Sequence, residues 1–571
     1  MSNLTRRAFL KYGAAGGAAL FLPWTLRIPL VNATAGGRLT KFVETLPVPG
    51  AGIVVATPTS VTSSLTRYAF TQKQIDRQLH PQLPATPLWA YDDGSGLAGQ
   101  AGSFGMALVA KTGAPVAVDY TNQLPQTYPA WIPVDTRLTP LGNHVRVMTH
   151  LHGGFVAVDS DGNPAITPNG FGFGETQSVY YPNQGPQNPA TLSWFHDHGL
   201  GATRLNVFAG LAAAYLIRDQ YDTGGPDNAN GLPSGPYEIP LVVQDRQFNR
   251  DGTFLYPTSD IEGATWIGEY FGDVMLVNGK VWPYLNVEPR LYRFRILNGC
   301  NARIMNLHFG GATVWQIGAE GGMWDVPIPM SRLVLAPAER ADVLVDFSRL
   351  AGQTTQVKNT NPPPPVSTPA PSLTQVMEIR VADTAPVPAT IPTTLVGGTR
   401  ASLPAPPSGK RRFITLNEAA AETASWVLTL NASRFMDGAP TETPTVGTIE
   451  DWYYINLTPD THPMHIHLVT FQVVGRVPFD VAAYSAAAGA GALGIPGGVD
   501  PTPFATGPMI PAGPSERGFK DTVKANPGYF TIIRARFDLP SGVRAPQRYV
   551  HHCHIVEHED NDMMRPYDVV H

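Results

Sequence analysis

Cysteine is nearly absent, with only Cys300 and Cys553 in 571 residues. Two thiols build no disulfide framework, so stability has to come from packed cores. Charge is sparse as well: Asp, Glu, Lys and Arg make up 15% of the chain, and the formal net charge is −5 at pH 7. With no basic run and no basic–aromatic repeat, no nucleic-acid partner is expected. The weakly apolar, Gly/Ala-rich stretch after Lys11 is too short and interrupted for a membrane-spanning helix, which needs about 20 apolar residues. No stable membrane insertion is expected.

That stretch has a different meaning. Thr5-Arg6-Arg7-Ala8-Phe9-Leu10-Lys11 is a twin-arginine export signature, and Ala33-Thr34-Ala35 offers an A-x-A cleavage site. Residues 1–35 therefore read as a signal peptide recognised by the twin-arginine export machinery. The mature protein is expected to begin near Gly36 and to be periplasmic or extracellular, exported already folded.

Gly and Pro are abundant, at 56 and 55 residues. Short β-branched runs bounded by turn residues predict an all-β protein, for example Val145–Val147, Tyr292–Leu297, Trp452–Leu457 and Phe530–Phe537. The length suits three or four domains.

The chemistry concentrates in the histidines. Four short windows, at 150–152, 196–198, 462–467 and 552–558, hold ten of the chain's 15 His. Cys553 lies between His552 and His554, with His558 five residues on and Met563 ten residues on. A thiolate, two imidazoles and a long axial thioether form a blue-copper ligand set. Cys553, His558 and Met563 supply three of those ligands. On a strand, neighbours alternate faces, so His552 and His554 point away from the metal that Cys553 would hold and toward a second centre. His150-Leu151-His152, His196-Asp197-His198 and His465-Ile466-His467 are further pairs with both imidazoles on one face.

These segments resemble the multicopper oxidases, in the branch of spore-coat laccase, bilirubin oxidase and phenoxazinone synthase. The resemblance covers most of the chain. It rests on THLHGG at 149–154, WFHDHGLGATRLNVFAGLAAAYLIRD at 194–219, QDRQFNRDG at 244–252 and YRFRILNG at 292–299, then HPMHIHLVTFQVVGR at 462–476, KDTV at 520–523 and HCHIVEHEDNDMMRP at 552–566. It implies four copper ions per chain: one type 1, one type 2 and a type 3 pair. His462, Cys553 and His558, with axial Met563, would form the type 1 site. His150 and His465 would hold the type 2 copper. His152, His196, His198, His467, His552 and His554 would hold the type 3 pair.

The implied activity collects single electrons at the type 1 site and delivers four of them, with four protons, to O₂. His552 and His554 are bonded directly to Cys553, so two short peptide links join the centres. Glu559 and Asp161 match acidic positions that this branch places near the oxygen cluster, and they are expected to relay protons. An Asp-Gly dipeptide also suits a simple turn at Asp161. Asp197, between two ligands, is expected to brace them. Where this branch often carries an aromatic residue before the HCH triplet, the chain has His551, expected to be a neighbour of the type 1 site and not a ligand.

The resemblance further implies three cupredoxin-like Greek-key β-sandwich domains, at about 36–218, 219–383 and 411–571, with a Pro-rich linker at 384–410. The middle domain contributes no ligand, and its single histidine is His308. It would hold the other two together, so no isolated domain should bind the oxygen cluster. Cys300 is expected to be a small buried residue. The segment at 482–507 is expected to be a flexible low-complexity loop.

The leading expectation is a laccase-like or bilirubin-oxidase-like enzyme whose donors are phenols, aromatic amines or a tetrapyrrole. A metal-ion oxidase taking Mn(II) or another cation is the alternative. The 13 scattered Met argue against Cu(I), which favours thioether-rich segments. A copper-free scaffold of the same fold would have lost ligands, and none is lost. A copper nitrite reductase would lack the HCH triplet.

Overall fold

The computed structural model describes residues 36–571 except 97–105, 186, 260–264, 368, 399–400, 408 and 421–425. The export signal read at 1–35 lies outside the described residues. Strands dominate, and the α-helices among the described residues are short: Thr203–Ala209, Val481–Ala488 and Val556–Asp560. No described helix is long and apolar enough to cross a membrane.

The strands form three successive pairs of sheets, each pair enclosing an apolar core. In the first, Tyr120 and Val179 from one sheet pack with Leu108, Phe195 and Tyr215 from the other. The strand Val116–Asn122 shows why: its buried positions alternate with half-exposed ones, the period-2 pattern of a strand with one face on a core. Glu238–Arg246, by contrast, is buried at every position, because the middle sandwich is covered on both sides.

One pairing pattern repeats three times. A parallel pair joins Thr66–Arg77 to Val116–Asn122, Glu238–Arg246 to Leu291–Asn298, and Arg411–Ala420 to Ile449–Asn456. The second strand of each pair then takes an antiparallel partner: Thr176–Tyr181, Arg340–Asp346 and Tyr529–Arg536 in turn. The histidine windows sit on the other sheets. In the first sandwich Thr149–His152 pairs antiparallel with Thr191–Asp197. In the third, His462–Ile466 pairs antiparallel with Gln547–Cys553. In the second, Met305–Phe309 and Thr354–Asn359 form an antiparallel pair whose only imidazole is His308, which bonds Thr360 Oγ1 at 3.1 Å.

Two expectations are corrected. Val145–Val147 is not a strand: Val147 makes only an isolated bridge with Phe171, because the chain turns there into the ligand strand. The segment at 482–507 is not simply a loop. It continues the helix Val481–Ala488, capped by Asp480, and Ile495 is buried and pinned by Asn417 and Thr415. Alanine-rich composition favours helix as readily as flexibility. Cys300 is buried in the middle core, as expected.

A buried ion cluster links the end of the first sandwich to the second. Asp222 accepts from Arg293 at 3.0 and 2.8 Å and from Arg295 and Arg218, while Glu238 accepts from Arg218 at 2.8 Å and from Arg295 at 2.5 Å. Burial would raise both carboxyls, but the three guanidinium groups win: Asp222 falls well below the usual range and Glu238 falls to about 2. Removing one charge strands the others, which typically costs about 3–5 kcal/mol. Asp222→Asn should therefore lower unfolding stability by about that amount, measured by urea denaturation at neutral pH.

Candidate metal centre

Two compartments of buried imidazoles lie on either side of Cys553. In the first, His462 begins its strand, Cys553 ends a neighbouring one and His558 lies in the short helix Val556–Asp560. Cys553 Sγ is 3.6 Å from His462 Nδ1 and 3.7 Å from His558 Nδ1, and the two nitrogens are 3.2 Å apart. Three possible metal-ligand atoms thus converge within 3.7 Å of one another. Met563 is fully buried in the same core, and its carbonyl accepts the Cys553 N–H at 3.0 Å. The Ile555 N–H points at the sulfur, 3.4 Å away. Burial pushes the thiol pKa up and His462 down to about 3, so a cation is what would draw off the thiol proton.

The second compartment forms where the first and third sandwiches meet. Directly opposed residues of an antiparallel pair share a face. His150 opposes His196, and His465 opposes His552. Imidazoles of the two sandwiches then stack, His150 on His467 with centroids 3.8 Å apart and His152 on His465 at 3.7 Å. The Nε2 atoms of His198 and His467 each lie 3.3 Å from His552 Nε2.

The outer nitrogens are held. Backbone carbonyls of Asp161, Asp197, Asp521 and Cys553 lie 2.5, 2.8, 2.8 and 3.0 Å from Nδ1 of His150, His196, His465 and His552. A carbonyl can only accept, so each Nδ1 carries the proton. That leaves Nε2 of His150, His196 and His465 buried without a protein partner. His152 is reversed: its Nε2 faces Asp521 Oδ1 at 3.1 Å and its Nδ1 is unpartnered. His554 lies beside them, 5.0 Å from His152 and 5.3 Å from His196 between ring centroids. Burial holds His152, His196, His198, His465, His467 and His554 well below 6.5. Buried neutral imidazoles with lone pairs aimed at one another fit metal ions and fit little else.

The acidic positions separate. Asp161 supports two imidazoles from opposite sandwiches, through its carbonyl to His150 and through Oδ2, 2.9 Å from His467 Nδ1. It also sits in a turn: Gly162 follows at φ +69°, and a Cβ there would fall 2.2 Å from Thr149 O. The turn reading of Asp161 therefore holds, and its carboxylate also stands against His467. Glu559 spans His198 Nδ1 at 3.4 Å and His552 Nδ1 at 3.2 Å. The Asp197 carboxylate reaches no imidazole. It accepts from Met148 N, Gly199 N and Asn206 Nδ2 at 2.9, 2.9 and 2.8 Å, bracing the backbone that carries the ligands. His551 lies outside the second compartment, edge-on to Trp452 at 5.2 Å.

Sequence reasoning missed Asp521, although KDTV was among the resembling segments; an acidic residue in a quoted motif was the available signal. It also missed Glu418, whose Oε1 is 3.7 Å from His462 Nε2. Nothing near Glu418 in the chain flags it.

Fold and site together define a copper oxidoreductase. The multicopper oxidase family model matches residues 405–571. The laccase of Bacillus subtilis (strain 168) is 37% identical, covering 93% of this chain and 99% of its own. Multicopper oxidase LPR1 homolog 5 of Oryza sativa subsp. japonica is 36% identical, covering 94% and 86%. The crystal structure of McoA multicopper oxidase from Aquifex aeolicus superposes with a TM-score of 0.70 at 26% identity, covering 93% of this chain and 100% of that one. The chain belongs to the multicopper oxidase family and is a laccase-like oxidoreductase.

Two outcomes test the site. The folded imidazole pKa values lie below the unfolded value of 6.5, so between the two the unfolded chain binds more protons and stability rises with pH. Urea midpoints of the copper-free protein should therefore climb with pH up to about 6.5 and then level, while the copper-loaded protein keeps its stability to lower pH. Cys553→Ser should abolish the intense blue thiolate–copper absorption while the protein still unfolds cooperatively.

Proposed function

We propose that this enzyme takes electrons one at a time from phenols, aromatic amines or a tetrapyrrole and uses four of them to convert O₂ and four protons into two waters. The observation that carries the reading is the His552-Cys553-His554 triplet, whose cysteine faces one buried ligand set and whose histidines face another. We assign His462, Cys553, His558 and Met563 to type 1 copper, and His150 and His465 to type 2. His152, His196, His198, His467, His552 and His554 are assigned to the type 3 pair, making four ions in all. Copper, when bound, supplies the one-electron steps and the affinity for oxygen.

The chain supplies the rest. Backbone carbonyls and the Asp161 and Asp521 carboxylates fix the tautomers of His150, His152, His196, His465, His467 and His552 before metal arrives. Glu559 spans two of the ligands from outside; burial would raise its carboxyl, but His198 and His552 outweigh that and hold it at about 2, so it stands as a carboxylate that can accept and pass on a proton. Asp161 Oδ1 has no protein hydrogen-bond partner and is free to take or give one. The Arg6-Arg7 motif and the metal-closed sites support export of the folded protein by the twin-arginine route to the periplasm or beyond.

A metal-ion donor is the second reading, and one observation favours it. Glu269 and Glu418 lie beside the type 1 ligands; burial, with Asp460 close to both, pushes their carboxyl pKa values up, Glu418 to about 8. Gly268, next to Glu269, accepts from His558 through its backbone. Such a carboxylate group would attract a cation.

The copper-loaded protein should be blue and hold four coppers, with O₂ uptake that depends on donor. Faster uptake with a phenol than with Mn(II), changed little by Glu418→Gln, supports the aromatic reading. Uptake confined to metal ions and abolished by that substitution would replace it. Separately, Arg6→Lys with Arg7→Lys should leave the protein in the cytoplasm on fractionation.

A further inference from the structure

The middle sandwich supplies no imidazole to the oxygen compartment, yet one of its side chains reaches the compartment's support. Arg340 begins the strand Arg340–Asp346 of that sandwich. Its NH1 and NH2 donate to Asp521 Oδ1 and Oδ2 at 2.9 and 2.5 Å, and its Nε donates to Leu192 O at 3.0 Å. Leu192 lies in the strand that carries His196, and Asp521 immediately precedes the strand Thr522–Ala525, which pairs with the strand of His465. One guanidinium thus joins all three sandwiches. Arg340 is fixed in turn, because its backbone N–H donates to Glu320 Oε1 at 2.8 Å and Lys520 Nζ donates to Glu320 Oε2 at 2.6 Å.

Asp521 serves two ligands at once. Its carbonyl accepts from His465 Nδ1 at 2.8 Å, and its Oδ1 faces His152 Nε2 at 3.1 Å. These are the two imidazoles that stack at 3.7 Å. The chain leaves room for the contact: Gly153, directly after His152, has φ +85°, and a Cβ there would stand 2.8 Å from Asp521 Oδ2 and 3.1 Å from Arg340 NH2. A carboxylate paired bidentately with arginine is ionised and can only accept. The proton of His152 therefore stays on Nε2, and Nδ1 turns inward.

We propose that Arg340 and Asp521 form a positioning pair through which the ligand-free middle sandwich sets the tautomer and orientation of His152 and the seat of His465. The inference rests on the copper reading above. Among the described residues Arg340 makes no hydrogen bond to an assigned histidine ligand, and it acts through Asp521.

The test uses the full chain loaded with copper, as parent, Asp521→Asn, Arg340→Gln, Arg340→Lys and the Arg340→Gln/Asp521→Asn double variant. Copper per chain, blue absorption, type 2 electron paramagnetic resonance and thermal melting are followed under chelator challenge. We expect Asp521→Asn and Arg340→Gln to keep the blue absorption and a cooperative melt. Both should surrender oxygen-compartment copper about 10–100-fold more readily. The double variant should be no worse than Asp521→Asn, and Arg340→Lys should recover part of the loss. If both single variants hold that copper as the parent does, or lose the blue absorption in step with it, the positioning role is overturned. A parent that takes up no copper would instead overturn the copper reading itself.

Discussion

Everything in this molecule is arranged around a set of buried imidazoles whose lone pairs face one another. Such groups are costly in an apolar interior unless something accepts them, and here the protein deliberately satisfies only the outer nitrogen of most rings. Carbonyls of Asp161, Asp197, Asp521 and Cys553 hold the Nδ1 protons, which commits the opposite nitrogens to the interior. The unfilled demand is then for cations with a preference for nitrogen, and the fold has to bring that demand together from distant segments without letting water satisfy it.

Strand geometry makes the assembly economical. Period-2 alternation turns each H-x-H pair into two ligands on one face, and antiparallel register sets a second pair opposite the first. The same alternation divides His552-Cys553-His554 between two compartments of buried ligands, so that a single peptide segment connects them. The repeated sandwich topology shows what is specialised: the equivalent strands of the middle copy carry only His308. That copy contributes ion pairs instead, through Arg340 toward the oxygen compartment and through Arg293 and Arg295 toward the first sandwich.

The two compartments differ in the company they keep. The oxygen side is enclosed by carboxylates that each touch an imidazole, namely Asp161, Glu559 and Asp521. On the Cys553 side Glu418 stands 3.7 Å from His462, with Glu269 and Asp460 close by. Carboxylates in contact with imidazoles orient them, so the ring tautomers belong to the first set.

Much of the site was legible in the chain. The histidines and Cys553 that the structure brings together could be named from windows of a few residues, because metal chemistry asks for particular residue types at strand spacing. The all-β class followed from Gly, Pro and β-branched runs for the same local reason. What the sequence could not hold was contact between segments far apart. Asp521 against His152 is 369 residues distant and Arg340 against Asp521 is 181, and neither pairing leaves a local pattern. The absent strand at Val145–Val147 was decided by the turn into the ligand strand, and the helix at Val481–Ala488 by an alanine-rich composition that suits a helix as well as a loop. Sequence determined which atoms can bind metal, since that is a property of single side chains. Tertiary structure decided which nitrogen of each ring faces inward and what stands behind it, since a tautomer is set by whichever acceptor the fold delivers to the other side.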